Sequence, residues 1–164
     1  MIERDLRGRG IRNERVLAAM GAVPRHLFVR PEDAGRAYAD APLPTRDGQT
    51  ISQPYIVALM TEALRVTPGL RVLEIGSGAG YQTTVLAALG AAVWSIERSS
   101  ALSREAGARL KVLGVVRVHL AVGDGTLGWP AAAPFDRILA TGGLPSAPAG
   151  LLRQLAPGGI FVGP

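Results

Sequence analysis

The sequence predicts an α/β fold: a doubly wound, mostly parallel sheet with helices on both faces. Two observations predict it. From Arg71 onward, short apolar runs alternate with segments whose apolar residues recur at helical spacing, the pattern of consecutive βα units. The first such run, residues 72–75, leads directly into Gly76, Gly78 and Gly80 and then into a helical pattern over 81–89. Strand, glycine turn and helix in that order open a βαβ unit of the kind that holds an adenosine-bearing ligand. Glycine suits such a turn because the backbone must bend tightly and approach the ligand without a Cβ in the way.

At 164 residues the chain fits one domain with a sizeable core, and its 48% hydrophobic and 19% charged content are globular values. It reads as one unit over 1–164, with a helical, site-bearing segment at 1–70 and a ligand-binding βα core at 71–164. No apolar run reaches membrane-spanning length, and the Arg-rich start lacks the apolar stretch of a signal peptide. Without cysteine there is neither a disulfide framework nor a thiolate metal site. A cytoplasmic protein with no membrane partner and no metal is the expectation. The net charge of +5 is carried by arginine, Lys111 being the only lysine. Arg4, Arg7, Arg9, Arg12 and Arg15 cluster near the start. Glu3, Asp5 and Glu14 are interleaved and no aromatics are, so the cluster reads as a solvated face and not as a nucleic-acid site. Attraction of acidic substrates is the weaker second reading.

In chain order, Ile11, Val16, Leu17 and Met20 share a face, giving an amphipathic helix over 11–20 that Gly21 and Pro24 close. A proline-punctuated connector follows, with a short helix near 33–38. Residues 46–54 read as a polar turn. A helix is expected over 54–65, ended by Thr67-Pro68-Gly69. Strands are then expected at 72–75, 93–97, 116–122, 137–140 and 160–162, with helices at 81–89, 99–113 and 147–155. Ligands of such sheets sit at the carboxyl ends of the strands, where Glu74, Glu97, Asp124 and Thr141 fall.

The ligand class follows from the glycine spacing. A dinucleotide fingerprint places its third small residue at 81, and that position holds Tyr81. The motif is instead Glu-x-Gly-x-Gly-x-Gly. A carboxylate at the strand end, Glu74, suits a ligand carrying an ammonium group, such as the methionine end of S-adenosylmethionine. Glu97 ends the next strand, about 20 residues after the glycines, where a ribose-binding acid is expected for either cofactor class. A nicotinamide-dependent dehydrogenase is thereby a distant alternative.

Further pieces carry a resemblance. Val23-Pro24-Arg25-His26-Leu27-Phe28, then Gly48-Gln49-Thr50-Ile51-Ser52-Gln53-Pro54, the glycine motif, Gly123-Asp124-Gly125, Gly128-Trp129 and Ala133-Pro134-Phe135-Asp136 occur in that order. Together, from about residue 11 to the end, they resemble the protein-L-isoaspartate O-methyltransferases. The turn from Gly48 to Pro54 is the most specific piece, since methyltransferases in general share the glycine loop but not that turn. The resemblance implies a Rossmann-like, S-adenosylmethionine-dependent fold and methylation of the α-carboxyl of isoaspartyl residues in damaged proteins or peptides. It implies that Ser52 is the active-site serine, with Thr50, Ile51 and Gln53 in the adjoining cofactor-side turn. It assigns Glu74, Gly76, Ser77, Gly78, Ala79 and Gly80 to the cofactor loop, Glu97 to the ribose, and Asp124 with Gly125 to the adenine. It also implies seven strands where five are readable, so the C-terminal strands are expected to be missing. At Gly142-Gly143 the family usually carries alanines.

Plainer readings compete at several positions. Ser52 suits a helix N-cap ahead of Pro54, Asp124 a turn, and Glu97 a helix N-terminus. Glu74 could pair with Arg71. Trp129 and Phe135 read as packing residues, His26 as structural and Asp136 as a strand start. Two functional alternatives stay open: methylation of another peptide carboxylate, and a cofactor-binding module without activity.

Overall fold

The computed structural model describes residues 1–143 and 148–163. Its centre is a five-stranded, all-parallel sheet in the order β5-β4-β3-β6-β7. The strands are β3 (Arg71–Ile75), β4 (Ala92–Glu97), β5 (Val118–Val122), β6 (Phe135–Ala140) and β7 (Leu155–Val162). A small antiparallel hairpin, β1 (Leu43–Pro44) with β2 (Thr50–Ile51), precedes them. The helices are α1 (Glu14–Ala22), α2 (Pro54–Leu64), α3 (Tyr81–Ala88), α4 (Ser100–Val112) and α5 (Ala149–Leu152). None is long and apolar enough to cross a membrane.

The period of two along β3 decides which side chains face which layer. Val72 joins Val93, Leu139 and apolar residues of α1, α2 and α3 in the larger core. Leu73 and Ile75 point the other way, to Ile96, Ile138, Phe135 and Leu151. The larger core also takes Leu6, Ile11, Val16, Leu17 and Met20, so the N-terminal segment is packed against the sheet's helices. Each buried aliphatic side chain there contributes on the order of 1.5–3 kcal/mol.

The expected helices at 81–89 and 99–113 and the strands at 72–75 and 93–97 agree with the structure to within one residue at each end. Asn13 starts α1 later than expected, because its Oδ1 accepts the N–H groups of Arg15 and Val16. The stretch near 33–38 is a 3₁₀ helix over Pro31–Arg36. The last expected helix is shorter: α5 ends at Leu152, and part of the expected span, residue 147, lies outside the described residues. Strand β7 begins at Leu155, five residues early, and tolerates Pro157 and Gly158 through a register shift opposite Phe135 and Arg137. The start of the chain, read only as a charged face, forms a π turn over Ile2–Leu6 and a 3₁₀ turn over Arg7–Arg9. Its arginines are occupied there, Arg4 by Asp5, Arg7 by Glu3 and Glu14, and Arg9 by Asp40.

Candidate active site

A cleft of about 920 Å³ opens at the carboxyl ends of β3, β4 and β6, within the range of sites for small molecules and cofactors. Three parts of the chain meet around it. Residues 76–79 form its floor as the glycine loop between β3 and α3. Glu97 and Ser99 come from the end of β4. Residues 50–52 come from the hairpin and the turn into α2.

The glycine loop owes its path to positive φ at Gly76, Gly78 and Gly80 (92°, 51° and 92°). At Gly76 the fit is also tight: a Cβ would lie 2.6 Å from Thr141 Oγ1. That hydroxyl donates to the carbonyls of Ile75 at 2.9 Å and Gly76 at 2.7 Å, so the end of β6 braces the loop's first turn. Ser77 is buried in the loop, and its Oγ has no hydrogen-bond partner among the described residues.

Glu97 is 8% exposed and lines the cleft. One carboxylate oxygen accepts the N–H of Gly78 at 2.8 Å and the other that of Ser99 at 2.9 Å. Each oxygen keeps a further lone pair for a ligand hydroxyl. Ser99 caps α4 and donates to Asp47 at the hairpin tip, while Arg46 pairs with Glu105 at 2.7 Å. The hairpin is thus fastened to α4 across one side of the cleft. Asp124 lies exposed at the end of β5, where Oδ1 accepts the N–H of Thr126 at 2.9 Å and its hydroxyl at 2.7 Å. Those bonds hold its carboxyl below the usual range.

Of the residues assigned from sequence, Thr50, Ile51, Ser52, Gly76, Ser77, Gly78, Ala79, Glu97, Asp124 and Gly125 are brought together around this one cleft. Three are outside its lining, each for a physical reason. Gln53 turns its amide to Asp40, donating to the side chain at 2.8 Å and the carbonyl at 3.0 Å. Gly80 is packed under α4, where a Cβ would come within 3.2 Å of Ala106. Glu74 shares the α3 face of the sheet with Val72 and is wholly buried. The expectation that Glu74 meets an ammonium group directly is corrected by this placement. Its Oε2 accepts from Thr83 Oγ1 at 2.5 Å and Ser95 Oγ at 2.6 Å, and Oε1 has no partner among the described residues. Burial pushes its carboxyl up to about 7, against the two hydroxyl donors, which lower it.

The plainer readings resolve as well. Ser52 does not cap α2: Gln53 occupies the cap position, with no side-chain cap bond. Arg71 is not a partner of Glu74. It stacks over Trp94 at 4.2 Å and donates to the carbonyls of Ala132 and Pro134. Trp129 and Phe135 are packing residues of the smaller core. Asp136 accepts the Arg71 N–H at 2.8 Å. His26 is exposed, with Nδ1 2.8 Å from the Tyr38 hydroxyl. Gly142 and Gly143 line the cleft, whereas Leu144 and Pro145 lie outside the described residues. Sequence reasoning missed Asp47, Gln49, Arg98, Ser99 and Thr126 as lining residues. The signal available for three of them, Gln49, Arg98 and Thr126, was adjacency to an assigned residue.

These residues fit an adenosyl cofactor with an amino-acid tail. The fit rests on a buried strand-end carboxylate with spare acceptor capacity, an unpartnered buried hydroxyl in the loop, and open space beside the backbone at Gly78, which carries no Cβ. Glu97 would hold the ribose hydroxyls, Asp124 and Gly125 the base, and residues 76–79 with 50–51 the rest.

Comparison with known proteins identifies the family. Residues 1–164 match the family model described as protein-L-isoaspartate(D-aspartate) O-methyltransferase (PCMT). The protein-L-isoaspartate O-methyltransferase of Methylorubrum populi is 56% identical over 164 residues, which are all of this chain and 77% of the relative. A solved protein-L-isoaspartate O-methyltransferase superposes with a TM-score of 0.89 at 30% identity, covering 100% of this chain and 55% of that one. A Plasmodium falciparum β-aspartate methyltransferase, solved with S-adenosyl-L-homocysteine, shares the fold at a TM-score of 0.85 and 24% identity, over 99% of this chain and 82% of that one. With a family match along its whole length and a relative more than half identical, the chain belongs to the protein-L-isoaspartate O-methyltransferase family.

Proposed function

We propose that this chain transfers a methyl group from S-adenosylmethionine to the α-carboxylate of L-isoaspartyl residues in damaged proteins and peptides. The observation that carries the reading is the meeting of Glu97, the glycine loop and Ser52 on a single cleft. The names of the relatives supply the substrate.

The chemistry asks little of the side chains. When bound, the cofactor supplies a sulfonium methyl group open to attack by a nucleophile. A carboxylate is already ionised near pH 7 and needs no general base. No histidine lines the cleft among the described residues, in keeping with that. The protein's part is placement, which is worth up to roughly 7–11 kcal/mol when reacting groups are well oriented. Ser52 is half-buried at the cleft edge, and its hydroxyl donates a hydrogen bond that orients the acceptor carboxylate. Glu97 and the glycine loop hold the donor side, and the hairpin is fastened along one side of the cleft through Asp47 and Arg46. The methyl ester formed in this way cyclises to a succinimide as the amide nitrogen of the following residue attacks the ester carbonyl and methanol leaves, and hydrolysis of the succinimide returns part of the chain to the normal aspartyl linkage. A cytoplasmic setting belongs to this proposal.

The test is methyl transfer from labelled S-adenosylmethionine to three peptides alike except for an isoaspartyl, an aspartyl or a succinimide residue. Label on the isoaspartyl peptide alone is the expected result. Label on the aspartyl peptide alone would point to a different carboxylate, and cofactor binding without any transfer would point to a binding module.

A further inference from the structure

The turn that carries Ser52 is held from behind by residues that do not line the cleft. Arg25 is 0% exposed, among the largest wholly buried side chains of the molecule. Its Nε donates to the Ala37 carbonyl and its Nη2 to the Ser52 carbonyl, both at 2.8 Å. The guanidinium lies 4.7 Å over the ring of Tyr81, itself a cleft residue. Nη1 has no partner among the described residues. A buried cation with an unmet donor is a poor device for stability, since an apolar side chain of similar volume packs there without the desolvation cost. What an apolar residue lacks is a donor to the Ser52 carbonyl.

A second fastening holds the residues just after Ser52. Asp40 Oδ1 accepts the N–H of Tyr55 at 2.9 Å, and Oδ2 accepts from Gln53 Nε2 at 2.8 Å. Arg9, stacked 3.6 Å over Tyr55, donates to the same Oδ2 at 2.5 Å. The Ser52 hydroxyl makes no hydrogen bond to the described residues, so its place is set through its backbone. The backbone is set by Arg25 on one side and Asp40 on the other.

We propose that Arg25 is a positioning residue for Ser52, acting with Asp40. By fixing the Ser52 carbonyl it fixes where the hydroxyl meets the acceptor carboxylate, while touching neither cofactor nor acceptor. The inference rests on the function proposed above.

Arg25→Met keeps the apolar stem and removes the donors. The expected variant stays folded and loses less affinity for S-adenosylhomocysteine than for an isoaspartyl peptide, because the Glu97 and glycine-loop contacts are kept and only residues 50–51 loosen on the cofactor side. Amide hydrogen exchange at 50–53 rises. Affinity of the chain loaded with S-adenosylhomocysteine for an isoaspartyl peptide, and turnover, fall by roughly tenfold, as for one lost hydrogen bond to a charged group. A double-mutant cycle with Ser52→Ala separates positioning from general damage: in the Ser52→Ala background the Arg25 change costs nothing further. Additive losses would overturn the proposal, as would unchanged exchange at 50–53. If Arg25→Met does not fold, Asp40→Asn takes its place in the same cycle, read the same way. A parent chain that binds S-adenosylhomocysteine but no isoaspartyl peptide would defeat the functional proposal, and exchange at 50–53 would still decide whether Arg25 holds the turn.

Discussion

The Glu97 carboxylate accepts the backbone N–H of Gly78 at 2.8 Å, tying the acid that ends β4 to the glycine loop that follows the neighbouring strand. Loop and acid are therefore one rigid element. The parallel register aligns Ile75 with Ile96, so the two strands end side by side and the pair faces one cleft.

From this follows the effect of Glu97→Ala. The variant loses both the acceptor proposed for the ribose and the anchor of Gly78. Its affinity for S-adenosylhomocysteine, measured by titration calorimetry, is expected to fall by about 1–3 kcal/mol, the range for hydrogen bonds to charged groups. Unchanged affinity would remove Glu97 from the cofactor site.

Ser52→Ala separates the two halves of the site. Turnover on an isoaspartyl peptide is expected to fall more than cofactor affinity does, because the role proposed for the hydroxyl is to orient the acceptor. Parallel losses in kcat and in S-adenosylhomocysteine binding would show that Ser52 serves only the fold or the cofactor.

Glu74 gives a prediction in pH. Burial raises its carboxyl from an ordinary value of 4.5 to about 7 in the folded chain. Between those values the folded state holds a proton that the unfolded state has released. The resulting stability is full below about pH 4.5 and is lost as pH rises through 7. At about 1.36 kcal/mol per pH unit the loss is on the order of 3 kcal/mol, an upper figure. Glu74→Gln removes this dependence. The fall in unfolding temperature between pH 5 and pH 8 should therefore be smaller in the variant than in the parent chain. An identical fall in both would mean that Glu74 titrates as an ordinary carboxylate.

Gly76→Ala tests the tight junction between loop and β6. The backbone sits at φ 92°, and the new Cβ would approach Thr141 Oγ1 to 2.6 Å. Backbone strain alone costs at least about 1–2 kcal/mol. A lowered urea midpoint with an unchanged slope, together with weaker cofactor binding, is the expected result. A midpoint equal to the parent's would mean that the loop relaxes freely around a side chain there.

The sequence by itself determined the βα succession, because hydrophobic periodicity and glycine spacing are local signals. Strands β3 and β4, helices α3 and α4, and the strand-end position of Glu97 were all legible from them. Strand-end position also named Glu74, but the pleat places it behind the loop, beneath α3, and not in the cleft. The hairpin of β1 and β2 was not legible, since two-residue strands carry no periodicity. Nor was the full length of β7, where Pro157 and Gly158 interrupt the strand pattern and pairing with the neighbouring strand carries the strand across them. Only the tertiary structure decided what Arg25 and Asp40 do. Arg25 reaches carbonyls 12 and 27 residues away. A carbonyl is the same whatever side chain it belongs to, so such a bond leaves no mark in the sequence of its acceptor.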